Sequence, residues 1–268
     1  MGRIGQVLDM PCDMKYGDMT ESKKDVHEII KFEDVSFRYT QSSEYALESI
    51  SFAINKGETI GIIGGTGSGK STLINLIARY YDASKGKISF MGEPVSEWDK
   101  QTLRRKISVV AQKTQLFSGT VRSNLLFGKK NATDEEMMHA LEIAQAADFV
   151  LNKPKGLDCE VEQDGRNFSG GQKQRLSVAR AVISDSDVLI LDDSSSALDY
   201  ATDAAMRKAL ERLSPQKTVI IVSQRTSSIK HADRILVLDN GHLVGSGTHE
   251  ELLADCEVYR EIHESATK

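Results

Sequence analysis

The stretch ETIGIIGGTGSGKSTLINLIARYY, residues 58–81, leaves a chain few ways to fold. A short β-branched apolar run enters a cluster of glycines, and helical spacing follows at once. Gly64 to Ser71 match G-x-x-x-x-G-K-[ST], and a buried strand before the loop with a helix after it is the context that gives this motif its meaning. Glycines let successive backbone N–H groups turn inward around phosphate oxygens, and the helix N-terminus adds its positive end. Gly64, Gly65, Thr66, Gly67, Ser68, Gly69, Lys70, Ser71 and Thr72 are therefore the candidate phosphate cradle. Lys70 is placed to reach terminal phosphates and Ser71 to ligate Mg2+. A chance glycine-rich turn would not hold every fixed position in this setting.

The rest of the chain fits an α/β domain. IIKFEDVSFRY and ALESISFAI alternate apolar and polar residues, as half-buried antiparallel strands do. KISVVA, DVLILD and TVIIVS read as buried strands, with a helical stretch, ATDAAMRKALERL, between the last two. DRILVLDNGHLVGSG reads as a hairpin turning at Asn240-Gly241, and helices close the chain. Between about residues 114 and 183 the signals are mostly helical, which suggests an inserted helical subdomain. The 268 residues suffice for a large core. A net charge of −5, without a dense Lys/Arg block, argues against nucleic acid as a partner. Cys12, Cys159 and Cys256 lie far apart, so neither a zinc cluster nor a disulfide framework is indicated. No apolar run approaches the roughly 18–20 residues that span a bilayer.

Val188 to Leu191 are apolar and run into Asp192 and Asp193, then LILDDSSSALD turns through small residues. A carboxylate ending a buried strand near a phosphate loop, here Asp192, can hold Mg2+ through water. The bland alternative is a strand-ending helix cap. FSGGQKQRL, Phe168 to Leu176, closely resembles the signature motif of ATP-binding-cassette (ABC) ATPases, which usually begins with Leu. The resemblance covers nearly the whole chain from about residue 29. It implies an ABC ATPase fold: a RecA-like P-loop core, an antiparallel β subdomain and an inserted α-helical subdomain. It implies ATP and Mg2+ as ligands. Tyr39 falls where the family stacks an aromatic on adenine. Gln112 matches the Q-loop glutamine that contacts Mg2+ and the attacking water. Ser169, Gly170, Gly171 and Gln172 are the signature residues that grip a γ-phosphate. SALD, Ser196 to Asp199, matches the D-loop.

QLFSGTVRSNLLFG, Gln115 to Gly128, resembles a stretch of exporter-type cassettes. RIGQVLDM, near the start, is similar to the cytoplasmic extension of an exporter's last transmembrane helix. Residues 1–28 are then a linker or tail following a transmembrane domain, and residues 29–268 the nucleotide-binding domain, working at the cytoplasmic face of the cell membrane. A groove around Tyr80, Tyr81 and Phe117 is expected to receive a coupling helix, unless these are plain core aromatics.

Asp193 departs from the family pattern, which has Glu there to polarise the attacking water. One methylene fewer pulls the oxygens back by roughly a bond length, and a general base must lie within about 2.6–3.2 Å of its proton or act through water. SQR, with Gln224, stands where the family has a switch histidine; glutamine can donate to a γ-phosphate but cannot carry charge. Gln163 replaces a Glu ahead of the signature. None of the six histidines is expected to compensate, and His231 and His249 read as ordinary surface residues. Asp193 with Gln224 resembles the degenerate subunit of heterodimeric ABC exporters. That implies a non-identical second ABC subunit carrying Glu and His at the matching positions. A homodimeric exporter domain with slow Asp-based hydrolysis, or a soluble ABC regulator, are the alternatives.

Overall fold

Three continuous apolar runs, TIGII, VLILD and TVIIV, form strands buried almost from end to end, as parallel strands covered on both faces must be. They are the centre of a six-stranded sheet in a computed structural model of the chain, which describes residues 14–22, 25–39, 44–193, 198–213 and 217–265. The strands are β3 (Thr59–Ile63), β6 (Ile107–Val110), β9 (Val188–Asp192), β10 (Thr218–Val222), β11 (Arg234–Asp239) and β12 (His242–Gly247), in the order β12-β11-β3-β10-β9-β6. All pairings are parallel except the β11–β12 hairpin. Its turn falls at Asn240-Gly241 as the sequence suggests, both residues having positive φ (44° and 80°), the backbone that this dipeptide tolerates.

A second, antiparallel sheet has the order β2-β1-β4-β5, with β1 (Glu28–Phe37), β2 (Leu47–Asn55), β4 (Lys85–Phe90) and β5 (Glu93–Pro94). The alternation read in the two first strands becomes one face packed into a core that also takes Ile60, Ile62, Leu73, Ile190 and Leu236 from the parallel sheet and its first helix. That helix, α1 (Lys70–Ile77), follows β3 directly.

Helices α2 (Lys100–Lys106), α3 (Val121–Leu126), α4 (Asp134–Ile143), α5 (Ala147–Leu151) and α6 (Gly170–Val182) fill the middle of the chain, with a small ribbon of β7 (Gly119–Thr120) and β8 (Glu160–Val161) that the helical signals did not announce. Helices α3 to α6 share a core with Leu189, Leu191 and Val219 of the large sheet. Helix α7 (Tyr200–Glu211) links β9 to β10, and α8 (His249–Asp255) and α9 (Glu257–Ser265) end the described chain. Their apolar faces cover Ile63, Ile229 and Val237. No helix among the described residues is long and apolar enough to cross a membrane.

Residues 14–22 lie on the domain. Met19 bridges Trp98, and the Gly17 and Met19 N–H groups donate to Ser96 and Glu97 carbonyls. Arg79, only 1% exposed, donates to the Lys15 and Val95 carbonyls and to Asp82.

Candidate functional site

Registers across the parallel sheet bring four strand ends to one edge: Val110 lies opposite Leu191, Asp192 opposite Val222, and Val222 opposite Ile62. The chain segments leaving these ends carry Gln112, Asp193, Gln224 and the glycine loop. A parallel sheet collects its ligand site at this carboxyl edge.

The loop is shaped by its glycines. At Gly69, the N-cap of α1, φ is 101°, and a Cβ would sit 2.6 Å from Leu47 Cδ2 and 2.9 Å from the Ala46 carbonyl oxygen. At Gly64 a Cβ would fall 2.2 Å from the Leu238 carbonyl oxygen. The Lys70 ammonium donates to the Gly64 and Gly65 carbonyls, both at 2.7 Å. Burial lowers its pKa, while the charges of Asp192 and Asp193 oppose that. Conversely, burial raises the Asp192 carboxyl, and Asp193 beside it raises it further against the pull of Lys70. Two neighbouring carboxylates and a half-buried ammonium thus face one small region. Their mutual strain is what a bound cation and phosphate oxygens would relieve.

Asp193 has φ 46°, in the left-handed region where Asp is tolerated. Its N–H donates to the Val222 carbonyl at 2.9 Å, and its Oδ2 accepts from Gln112 Nε2 at 3.1 Å. Gln224 is exposed, between Ser223 and Thr226, which are buried. Tyr39 is 51% exposed; its hydroxyl shares a hydrogen bond with Thr72 Oγ1 at 3.0 Å, and its ring meets Phe37 and Tyr81 edge-on. A cleft of about 520 Å3 opens between Tyr39, Tyr45, Gly67 to Thr72, and the Asn240-Gly241 turn. Sequence reasoning missed that turn as part of the site. Gly241 N–H donates to the Ser68 carbonyl at 3.2 Å, a contact across the sheet that a local turn signal cannot announce.

Ser169 caps α6, accepting from the Gln172 N–H at 3.2 Å while Gln172 Oε1 accepts from the Ser169 N–H at 3.0 Å. The reciprocal cap leaves the hydroxyl hydrogen of Ser169 and the Gly170–Gly171 opening at an exposed helix end. Among the described residues no hydrogen bond joins Ser169–Gln172 to the phosphate loop. Of the D-loop residues, Ser196 and Ala197 lie outside the described residues; Asp199 caps α7 through the Thr202 N–H.

Two expectations need correction. Tyr81 does not share a groove with Phe117: it packs on Phe37 and Tyr39. Phe117 instead packs against Phe127 with the rings tilted by 47° and, under Arg180, lines a separate groove of about 870 Å3 that includes neither Tyr80 nor Tyr81. His249 is not an ordinary surface residue either. Its Nδ1 meets the Tyr259 hydroxyl at 2.7 Å, and burial pushes its pKa down.

A parallel sheet with a glycine loop and helix at its carboxyl edge, flanked by an antiparallel sheet and a helical insertion, is a P-loop ATPase core of the cassette type. The family profile for ABC transporters matches residues 47–196, and the chain belongs to that family. It is 42% identical over 260 residues to the "Putative multidrug export ATP-binding/permease protein" of Staphylococcus aureus strain NCTC 8325 / PS 47, which is 97% of this chain and 45% of that one. The counterpart from strain bovine RF122 / ET3-1 is 41% identical over 260 residues. The chain is also similar to a solved bacterial Atm1-family ABC exporter with ATP bound, with a TM-score of 0.90 and 30% identity, covering 100% of this chain and 47% of the other. It therefore spans less than half the length of the curated relatives it matches.

Proposed function

We propose that the chain is the ATP-binding domain of an ABC exporter, acting at the cytoplasmic face of a membrane. The observation that carries this is the convergence of Lys70, Asp192, Asp193 and Gln112 on the carboxyl edge of the sheet beside the glycine loop. ATP lies in the cleft with its adenine on Tyr39 and its phosphates against the Gly64–Thr72 backbone and Lys70. Ser71 and Asp192, with Gln112 at their side, are the residues that would hold Mg2+, which supplies positive charge to the phosphate oxygens. The raised Asp192 carboxyl fits that role, since a nearby cation favours the ionised form and opposes the rise.

The chain's own hydrolysis is slow. Asp193 is a short carboxylate engaged by Gln112, and Gln224 offers the γ-phosphate a neutral amide in place of a charged group. The intact, exposed signature at Ser169–Gln172 serves a second site, built with the phosphate loop and strand-end carboxylate of a non-identical ABC subunit that carries Glu and His at the matching positions. Its donors stabilise charge on the transferred phosphoryl group there. The groove beneath Phe117 and Phe127, edged by Arg104, Arg105 and Lys130, takes the coupling helix of the transmembrane half. The sequence pairing of Asp193 and Gln224 with SGGQ supports this asymmetric assignment.

Titration with a fluorescent ATP analogue tests the nucleotide site. Lys70→Ala should abolish most binding; a variant that binds as the parent does would overturn the assignment.

A further inference from the structure

Gln224 lies on a loop that its own backbone fixes only on either side of it: the Ser223 N–H donates to the Ile62 carbonyl, the Arg225 N–H to Ser223 Oγ at 3.0 Å and the Ser228 N–H to the Arg225 carbonyl. Further clamps come from two helices elsewhere in the chain. Behind the loop, Thr226 is 3% exposed, and its Oγ1 shares a hydrogen bond with His263 Nδ1 of α9 at 2.9 Å. From the other side, Arg207 of α7 donates to the Ser227 carbonyl. Arg207 is itself held by Asp203, one turn earlier, at 3.0 Å. Both side chains are largely sequestered, at 13% and 10% exposure, so the pair acts as a fixed prop rather than a loose surface bridge. Asp203 Oδ1 is buried without a hydrogen-bond partner. A well-packed structure keeps such a group only against some offsetting demand on the same side chain.

We propose that His263 and the Asp203–Arg207 pair are positioning residues for Gln224, fixing the loop against the γ-phosphate from behind. This rests on the reading of Gln224 as the γ-phosphate contact. A neutral amide contributes only through placement, because it has no charge to act at a distance. A misplacement of about 1 Å can cost on the order of a hundredfold in rate. The terminal helix α9, far from the phosphate loop in sequence, thereby belongs to the hydrolytic apparatus. Because Asp199 caps α7, the same prop ties the D-loop end of α7 to the switch loop.

The test uses the full chain. Kd for a fluorescent ATP analogue and the rate of Mg-ATP cleavage with protein in excess are measured for the parent, His263→Leu, Arg207→Met and His263→Asn. The first two should leave Kd within about twofold and slow cleavage about tenfold, a loss confined to the chemical step. His263→Asn, whose amide reaches the Nδ1 position, should return cleavage to within about threefold of the parent. Amide exchange over residues 223–228 with Mg-ATP bound should quicken in the same two variants and be restored in the third; it decides the matter if the parent is too slow to time. Unchanged cleavage and exchange in His263→Leu, or Kd rising in step with lost rate, would overturn the proposal. Failure of the underlying reading shows separately: Gln224→Ala would then cleave Mg-ATP as the parent does.

Discussion

In the proposed nucleotide site Lys70 and Tyr39 divide the work of holding ATP, and their losses should differ in size. Removing an ammonium hydrogen-bonded to phosphate forfeits about 1.5–3 kcal/mol, so Lys70→Ala should weaken binding roughly 10- to 100-fold. Tyr39→Ala loses stacking of about 1 kcal/mol or more on an exposed ring, so its effect should be the smaller of the two. Titration of both variants gives the order, and a larger loss from Tyr39→Ala would misplace the phosphates. Asp193→Glu alone should raise turnover only in part, because Gln224 stays neutral; Asp193→Glu with Gln224→His should do better. Steady-state ATPase of the isolated chain checks this, and a parent already turning over at about 1 s⁻¹ or more would contradict it. His249 has a different signature. Its folded pKa is lowered by burial, so neutral imidazole is favoured in the folded state and acid destabilises it. Thermal stability should fall as pH drops through about 6.5, the unfolded value, and His249→Gln should flatten that slope. The places of the glycine loop and of Asp192 at the sheet's carboxyl edge were legible, the first from its strand–glycine–helix pattern and the second from the apolar run that ends at it. The Gln112–Asp193 contact spans 81 residues and becomes visible only when β6 and β9 are set side by side.

At the scale of elements, the strands were legible wherever both faces are buried, since TIGII, VLILD and TVIIV leave no other choice. The short ribbon of β7 and β8 was not, because two-residue strands carry no periodicity. The misplacement of Tyr81 has another cause: the helical spacing read through Tyr81 ends as a helix at Ile77, and Arg79 then takes a positive φ of 49° that redirects the chain. Arg79 also shows how the early segment is held. Its buried guanidinium joins the C-terminal end of α1 to Lys15, and lies over the Tyr16 ring at 4.2 Å. Arg79→Met should leave two carbonyls without their donor and cost about 1–3 kcal/mol. Chemical denaturation measures the loss, and residues 14–22 should become open to proteases. A variant as stable and as protected as the parent would show that the segment is held by its backbone bridges alone.

For the whole molecule, no described hydrogen bond joins the signature end of α6 to the phosphate loop, and in the proposed function a second cassette unites them. In the proposed function the pairing of Asp193 and Gln224 with an intact SGGQ is what points to a non-identical partner. If this chain lends its signature to a competent site and keeps a slow site for itself, its two halves should respond oppositely to mutation. The direct measurement is steady-state ATPase of the purified, assembled transporter with changes made in this chain alone. Asp193→Ala removes a carboxylate that contributes little, so total activity should fall little. Ser169→Ala strips a γ-phosphate donor from the partner's site and should cripple turnover through kcat rather than through KM alone. Equal losses from the two changes would mean two equivalent sites, and would contradict the asymmetric account.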